Sequence, residues 1–499
     1  MSDIVKKLGL NKNPVLTGLW QVADLERGGT ELDREPAAQV LCDYINDGFT
    51  VFDMADHYGS AELIAGRAKN IATETSSVNS SDIRLFTKWC PQPHQTAFND
   101  VKAAIETRLQ RLNVETIDLL QFHWWSFQYP GYIDVMDHLA RLQQDGLIQH
   151  LGLTNFDTDH LRVLLSCGHN IVSNQVCISV LDPRALQRMS EVCLENDVRL
   201  LAYGTLAGGF LSDRWLNRSE PDVIDDWSKM KYKRFIDSVG GWHRYQELLQ
   251  TLAGVAETHG VSIANVASKW VLQQPAVAGV IVGARITERQ HRDSNRALNE
   301  LELSENELND IAEMVDSLDR IPGDCGTEYR RPPFLTAAGD LTDHLEQLPP
   351  VYKVQAVPER SDRWIVLTGS EYEPMCGYSR AMRIGDVIKV SGTTATHGLQ
   401  RPIGENDAEV QAVYILDKLE ASIKALGGSL EDVVRTRIYL ANEADCDAVS
   451  KVHGRYFGHV KPANTLFEIS RLIGPYTVEI EAEAILPADS PPPVTSDES

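Results

Sequence analysis

The sequence predicts an α/β chain, a TIM-type (β/α)8 barrel followed by a smaller α+β unit. Eight short runs rich in β-branched and aromatic residues recur between Pro14 and Ala284. They are apolar without clean alternation, as expected of parallel strands buried on both faces. Helix-like segments separate them, and eight such alternations fit a closed barrel. A doubly wound sheet would need fewer units and a phosphate-binding turn after its first strand, and GxGxxG is absent there.

The strand runs are PVLTGLW, FTVFDMAD, IRLFTKW, IDLLQFHWW, IQHLGLTN, IVSNQVCI, VRLLAYG and AGVIVGA. Between the first two, Asp33–Asp47 carries an apolar stripe of Ala37, Val40, Leu41, Tyr44 and Ile45 at helical spacing. Thr158 is read as the N-cap of the helix that Gly168 closes. The pattern breaks near Asp319, where RIPGDCGTEYRRPPFLTAAGD reads as a long tail or loop over the barrel. The barrel is assigned 1–335 and a linker 336–363. A second unit, 364–487, begins near Trp364, and GDVIKVSGTT reads as one of its strands, after a Gly-Asp turn. Ala408–Leu426 is an amphipathic helix, and Ser429 and Asp432 flank a turn or helix start. VVRTRIYLA is a strand, Ala448–Phe457 a helix, and TLFEISRL and TVEIEAEAIL are closing strands, an α+β order. Residues 488–499 are polar and Pro-rich and are expected to be a disordered tail.

Composition narrows the function. The 499 residues carry a net charge of −24, which argues against nucleic acid or an acidic membrane surface as partner. No apolar run is long enough for a signal peptide or a transmembrane helix. The eight cysteines are scattered, without CxxC spacing, so reduced thiols, no metal site and a cytoplasmic location are expected.

In such a barrel, reactive groups collect where strands end. The second strand ends at Asp53 with Tyr58 just beyond, the third at Lys88, the fourth at His123. Each alone is ordinary, but four at matching heights on three consecutive strands suggest a site. A tyrosine hydroxyl, with a pKa of about 10, is a poor acid at neutral pH. An adjacent lysine ammonium favours its ionisation. Asp53 would hold Lys88, a neutral His123 would orient a carbonyl oxygen, and Tyr58 would protonate the alkoxide that hydride addition creates.

The segments FDMADHYG, LFTKW and LLQFHW resemble the three tetrad motifs of the aldo-keto reductase family, and the likeness runs from Val15 to Leu301. The resemblance implies NADPH-dependent carbonyl reduction with Asp53, Tyr58, Lys88 and His123 as the tetrad. GLTNF and SNQV imply cofactor contacts from Thr154, Asn155 and Gln175. The tyrosine that often follows this glutamine in the family is replaced by CISVL. AYGTLAGGFL implies Tyr203, Gly204, Leu206 and Gly208 over the pyrophosphate. IVGARITERQ implies Gly283, with Arg285 and Arg289 for a 2′-phosphate, since a guanidinium fork suits phosphate oxygens. Glu288 would suit a free 2′-hydroxyl, so NADH stays open. Trp20, Trp124 and Trp125 either line an aromatic substrate pocket or pack the rim; the pocket is the reading preferred.

Gly377 to Leu486 resembles the Rid/YjgF family, with its chorismate-mutase-like α+β fold, in GYSRAMRIGDVIKVSGTTA, GGSLEDVVRTRIYL, KPANTLFEI and VEIEAEAI. The resemblance implies a homotrimer with clefts between subunits that hydrolyse imines or enamines, and cleft residues Tyr378, Arg380, Asn464 and Glu481. Asn464 stands where the family places a carboxylate-binding arginine, and an amide supplies neither the charge nor the fork. The chain is therefore expected to reduce a small carbonyl compound, its second unit setting oligomeric state or binding a related ligand. The alternatives are an NADPH-binding regulatory protein and a two-step imine hydrolase and carbonyl reductase.

Overall fold

The computed structural model describes residues 3–22, 32–75, 78–94, 96–224, 227–284, 291–331 and 348–495. The chain divides into two units, the first 1–125, 134–158 and 170–345, the second 126–133, 159–169 and 346–499. Eight parallel strands close into a barrel in chain order: β1 Val15–Gly18, β2 Val51–Asp53, β3 Arg84–Trp89, β4 Ile117–His123, β5 Ile148–Thr154, β6 Ile171–Cys177, β7 Arg199–Tyr203 and β8 Val277–Gly283. Gly18 pairs with both Asp53 and Gly283, which completes the ring. Every residue of β1, β2 and β6 is buried, which is why these runs lack polar alternation.

The barrel is a filled core. Ile4, Leu8 and Leu10 cluster with Leu16, Val51, Phe86, Leu119, Val172, Leu201 and Ala278, from the early positions of seven strands. That apolar plug closes the end where the strands begin. The polar residues fall at the opposite end: Asp53, His123, Thr154 and Tyr203 are each the last residue of their strand, as are Gly18 and Gly283.

Two local expectations differ from the structure. The helix expected to be capped by Thr158 starts at Thr158 itself and runs to Ser166. Its exposed first N–H is taken by Asp324 Oδ2 at 2.9 Å, so a carboxylate distant in sequence does the capping. The tail that supplies Asp324 is described to residue 331, with Cys325, Glu328 and Tyr329 buried.

The second unit is a seven-stranded sheet in the order β16-β15-β17-β12-β11-β10-β9. Its strands are β9 Lys353–Val357, β10 Arg360–Leu367, β11 Ala381–Ile384, β12 Val387–Thr393, β15 Val433–Leu440, β16 Ala463–Glu468 and β17 Val478–Ile485; two-residue strands β13 Thr396–His397 and β14 Arg401–Pro402 pair separately. β9 lies inside the segment expected to be linker. It pairs antiparallel with β10 and buries Val354, although most of its other side chains are exposed. The helix Ala408–Ala425 packs on β12 and β17 and beside the helix Cys446–Phe457. Fifteen of its residues are buried, so it is covered nearly all round rather than on one stripe. Ser429 and Asp432 form a capping box, with Ser429 N donating to Asp432 Oδ2 at 2.8 Å. The polar tail begins with a fixed stretch, since Arg383 donates to Ser490 O at 3.0 Å and to Pro491 O at 2.9 Å. Among the described residues, no helix is long and apolar enough to cross a membrane.

Candidate active site

The Asp53 carboxylate is 3% exposed and accepts from three side chains. Lys88 Nζ donates to Oδ2 at 2.5 Å. Gln121 Nε2 and Gln175 Nε2 donate to Oδ1 at 2.8 and 2.7 Å, and Gln175 Nε2 also lies 2.6 Å from Gln121 Oε1. Lys88 further donates to Met54 O at 3.1 Å. Its ammonium sits 5.2 Å from the centre of the Tyr58 ring. Burial pulls the Lys88 pKa below the ordinary lysine value, against the pull of the Asp53 charge, which favours the ammonium. Tyr58 is placed by a turn after β2, its N–H donating to Ala55 O at 3.2 Å, and its ring packs edge-on to Trp20 at 4.9 Å.

His123 is 5% exposed at the end of β4, and its Nε2 has no hydrogen-bond partner among the described residues. Burial, then the charges of Arg330, His57 and Lys88, hold its pKa well below the usual imidazole value. The ring is therefore neutral at neutral pH. Trp125 lies 4.3 Å from it and Tyr329 6.1 Å, ring centre to ring centre.

A cavity of about 560 Å³ opens at this end of the barrel. All four tetrad residues line it, with Thr154, Asn155, Gln175, Tyr203, Gly204, Leu206, Gly208, Gly283, Trp20 and Trp125. Trp124, just beyond the end of β4, is not among the lining residues; it is fully buried, with its ring 5.7 Å from that of Phe122. Arg285 and Arg289 lie outside the described residues. The glycine loop suits close approach of a ligand: Gly204, Gly208 and Gly209 all have positive φ, and a side chain on Gly204 would collide with Tyr232. Asn155 also adopts positive φ, at 54°.

Several site residues were not expected from the sequence. Tyr203 Oη donates to Asn155 Oδ1 at 2.8 Å and lies 2.7 Å from Tyr329 Oη, to which Lys231 Nζ donates at 3.0 Å. Arg330 donates to Asn155 O at 2.7 Å and Trp124 O at 2.6 Å. Arg184 joins Glu328 at 3.0 Å to Asp182 at 2.7 Å. Tyr329, Arg330 and Glu328 come from the tail, where no periodicity points inward. Gln121 had a signal: it stands two positions before His123 on the same strand and so faces the same way. Among the described residues, no group of three or more His, Cys, Asp or Glu is placed to hold a metal ion.

In the second unit the four expected cleft residues do not converge. Arg380 donates to Gly392 O at 2.8 Å and Thr393 Oγ1 at 2.5 Å, with its guanidinium 5.8 Å from the Tyr378 ring. Asn464 Nδ2 donates to Thr436 Oγ1 at 2.9 Å. Glu481 accepts from Tyr439 Oη at 2.8 Å and Arg437 Nη1 at 3.3 Å. Thr436 and Arg437 are consecutive on β15, so Asn464 and Glu481 lie on opposite faces of the sheet.

Residues 14–316 match the model of the Aldo/keto reductase family, and residues 368–486 that of Endoribonuclease L-PSP. Flagellar radial spoke protein 5 of Chlamydomonas reinhardtii is 31% identical over 176 residues, covering 31% of this chain and 33% of that protein, so the match spans a third of that relative's length. The NADH-specific methylglyoxal reductase of Escherichia coli (strain K12) is 24% identical, covering 61% of this chain and 94% of that protein. A RutC family protein of Pyrococcus abyssi is 33% identical over 121 residues, covering 24% of this chain and 94% of that protein, which places the second unit in that family. A solved glycerol dehydrogenase from Gluconobacter oxydans is 22% identical with a TM-score of 0.51, covering 62% of this chain and 94% of that one, and shares the barrel fold.

The depressed pKa of His123 has a consequence for stability. An unfolded histidine, with a pKa of about 6.5, takes up a proton before folded His123 does. The unfolded chain then binds more protons, so stability falls as pH drops below about 6.5. Between pH 7 and 5.5 the wild type should lose about 1 kcal/mol more than His123→Asn, read from urea midpoints. Equal losses would contradict a neutral buried imidazole.

Proposed function

The chain belongs to the aldo/keto reductase family through residues 14–316, and from that premise we propose that its barrel is an NADPH-dependent oxidoreductase reducing an aldehyde or ketone to an alcohol. The observation that carries this reading is the Asp53–Lys88–Tyr58 assembly and His123 lining one cavity. The cavity fits a dinucleotide: its glycine loop leaves backbone exposed, and Arg214 and Lys229 add cations for phosphate to the lining. Thr154, Asn155, Tyr203, Gly204, Leu206, Gly208 and Gly283 would hold the cofactor. Gln175 commits its Nε2 to Asp53 and keeps Oε1 to accept from an amide. Arg285 and Arg289 would clamp a 2′-phosphate. A bound nicotinamide supplies hydride chemistry at this site.

The chain's own groups do the rest. Trp20 and Trp125 enclose the carbonyl compound and exclude water. His123 Nε2 orients the carbonyl oxygen, and Tyr58 Oη gives its proton to the developing alkoxide. Lys88, held charged by Asp53, favours the tyrosinate left behind. Tyr58→Phe should lower kcat about 10²- to 10⁴-fold while the cofactor still binds. Fluorescence titration of that variant should give wild-type affinity, with NADPH tighter than NADH. Near-full turnover would contradict the assignment, and equal affinity for the two cofactors would remove the case for the phosphate clamp.

The division into a barrel, 1–335, a connecting segment and a RutC-like unit, 364–487, is part of the same reading, with β9 added to the second unit. That unit is proposed to hold the chain as a trimer, with Asn464 weakening any deaminase activity on 2-imino acids. The support is an exposed sheet face. Phe467 is 49% exposed and stacks on Tyr439 at 6.2 Å, among Arg437, Glu481 and Glu483. Phe467→Asp should convert the trimer to monomers in light scattering. A wild-type monomer, or an unchanged trimer in the variant, would contradict this surface.

A further inference from the structure

The site leaves one question about His123 that the tetrad does not answer. A neutral imidazole carries one proton, on either Nδ1 or Nε2. Only a proton on Nε2 can be donated to a carbonyl oxygen in the cavity. The group that faces Nδ1 is the Cys90 thiol, with Sγ 3.4 Å away. Cys90 follows the last residue of β3, and its N–H donates to Asp56 Oδ2 at 3.2 Å, while Asp56 Oδ1 lies 2.8 Å from His57 Nδ1. The thiol packs against Trp125 and Tyr329, the same two rings that flank the imidazole. Sulfur and imidazole nitrogen are therefore held in place from both sides.

We propose that Cys90 is a positioning residue: its S–H donates to Nδ1 of His123 and so places the imidazole proton on Nε2, facing the substrate. Two arguments select this direction. Sulfur is a weak acceptor, whereas the imidazole lone pair is a good one, so S–H to N is the better bond. The reverse arrangement would aim a bare Nε2 lone pair at the carbonyl oxygen and repel it. Nε2 has no hydrogen-bond partner among the described residues, and a proton there is matched by the acceptor that a substrate carbonyl brings. A neighbouring thiol can give and take this hydrogen bond without changing the charge of the pocket. This role rests on the carbonyl-reductase reading above, but the tautomer can be measured without turnover.

The test compares wild type, Cys90→Ser and Cys90→Ala in the full chain with NADPH bound. Nitrogen-15 NMR of labelled histidine, with His123 assigned by its loss in His123→Asn, reads the tautomer. Wild type and Cys90→Ser, which keeps a donor, should show the Nε2-protonated pattern. Cys90→Ala should show a mixture with Nδ1-protonated ring. In turnover of an aldehyde, Cys90→Ala should lose about three- to tenfold in kcat with unchanged cofactor affinity, the fold-change expected for one hydrogen bond, and Cys90→Ser should stay near wild type. An Nδ1-protonated ring in wild type would overturn the proposal. So would equal loss of kcat in both variants, which marks a packing role, or an unchanged tautomer in Cys90→Ala. Were no carbonyl reduced by any form, a tautomer shift confined to Cys90→Ala would still uphold the thiol's role, and the failure would belong to the enzymatic reading.

Discussion

The buried Asp53 carboxylate organises the polar interior of the barrel. An ionised carboxylate at 3% exposure is costly unless its charge is paired and its lone pairs are filled. Here one oxygen takes the Lys88 ammonium and the other takes two glutamine amides, from β4 and β6. The arrangement ties β2, β3, β4 and β6 together. It also fixes a lysine that burial alone would tend to neutralise. The pairing holds the Lys88 ammonium 5.2 Å from the centre of the Tyr58 ring, where the proposed chemistry needs a positive charge.

A second polar network shapes the other wall of the cavity. Lys231, Tyr329, Tyr203 and Asn155 form a continuous chain of hydrogen bonds. Behind it, Glu328 joins Lys231 at 3.7 Å to Arg184, which is paired with Asp182. Within this cluster the two cations, Lys231 and Arg184, are matched by the carboxylates of Glu328 and Asp182. The tail residues 324–330 are thereby built into the site, through Arg330 to the carbonyls of Asn155 and Trp124 and through Asp324 to the helix start at Thr158. His123 stays neutral between the two networks, near the positive charges of Arg330 and Lys88.

Features set by short-range pattern were legible in the sequence. The eight strand runs, the tetrad at their ends and the glycine loop after β7 each depend on a local spacing. Features set by long-range contact were not. Nothing near Tyr329 or Arg330 indicates that the tail folds into the cavity, and no local residue indicates that Asp324 caps a helix. Trp124 and Trp125 are adjacent in the segment after β4, yet only Trp125 lines the cavity while Trp124 packs against Phe122, a difference the two residues do not encode by themselves. Asn464 and Glu481 were grouped from motif likeness alone. Their separation depends on the pairing register of β15 with its two neighbours, which residues 464 and 481 do not encode by themselves.

The account stands on Asp53 holding Lys88 charged beside Tyr58. Stopped-flow loss of NADPH fluorescence on mixing with an aldehyde, in wild type and Asp53→Asn, tests this most directly. The asparagine keeps the size of the side chain but not the charge that pairs with Lys88. The account predicts a single-turnover rate lower by about 10²-fold or more in the variant, with the cofactor still bound. A wild-type rate in a folded Asp53→Asn chain would contradict it.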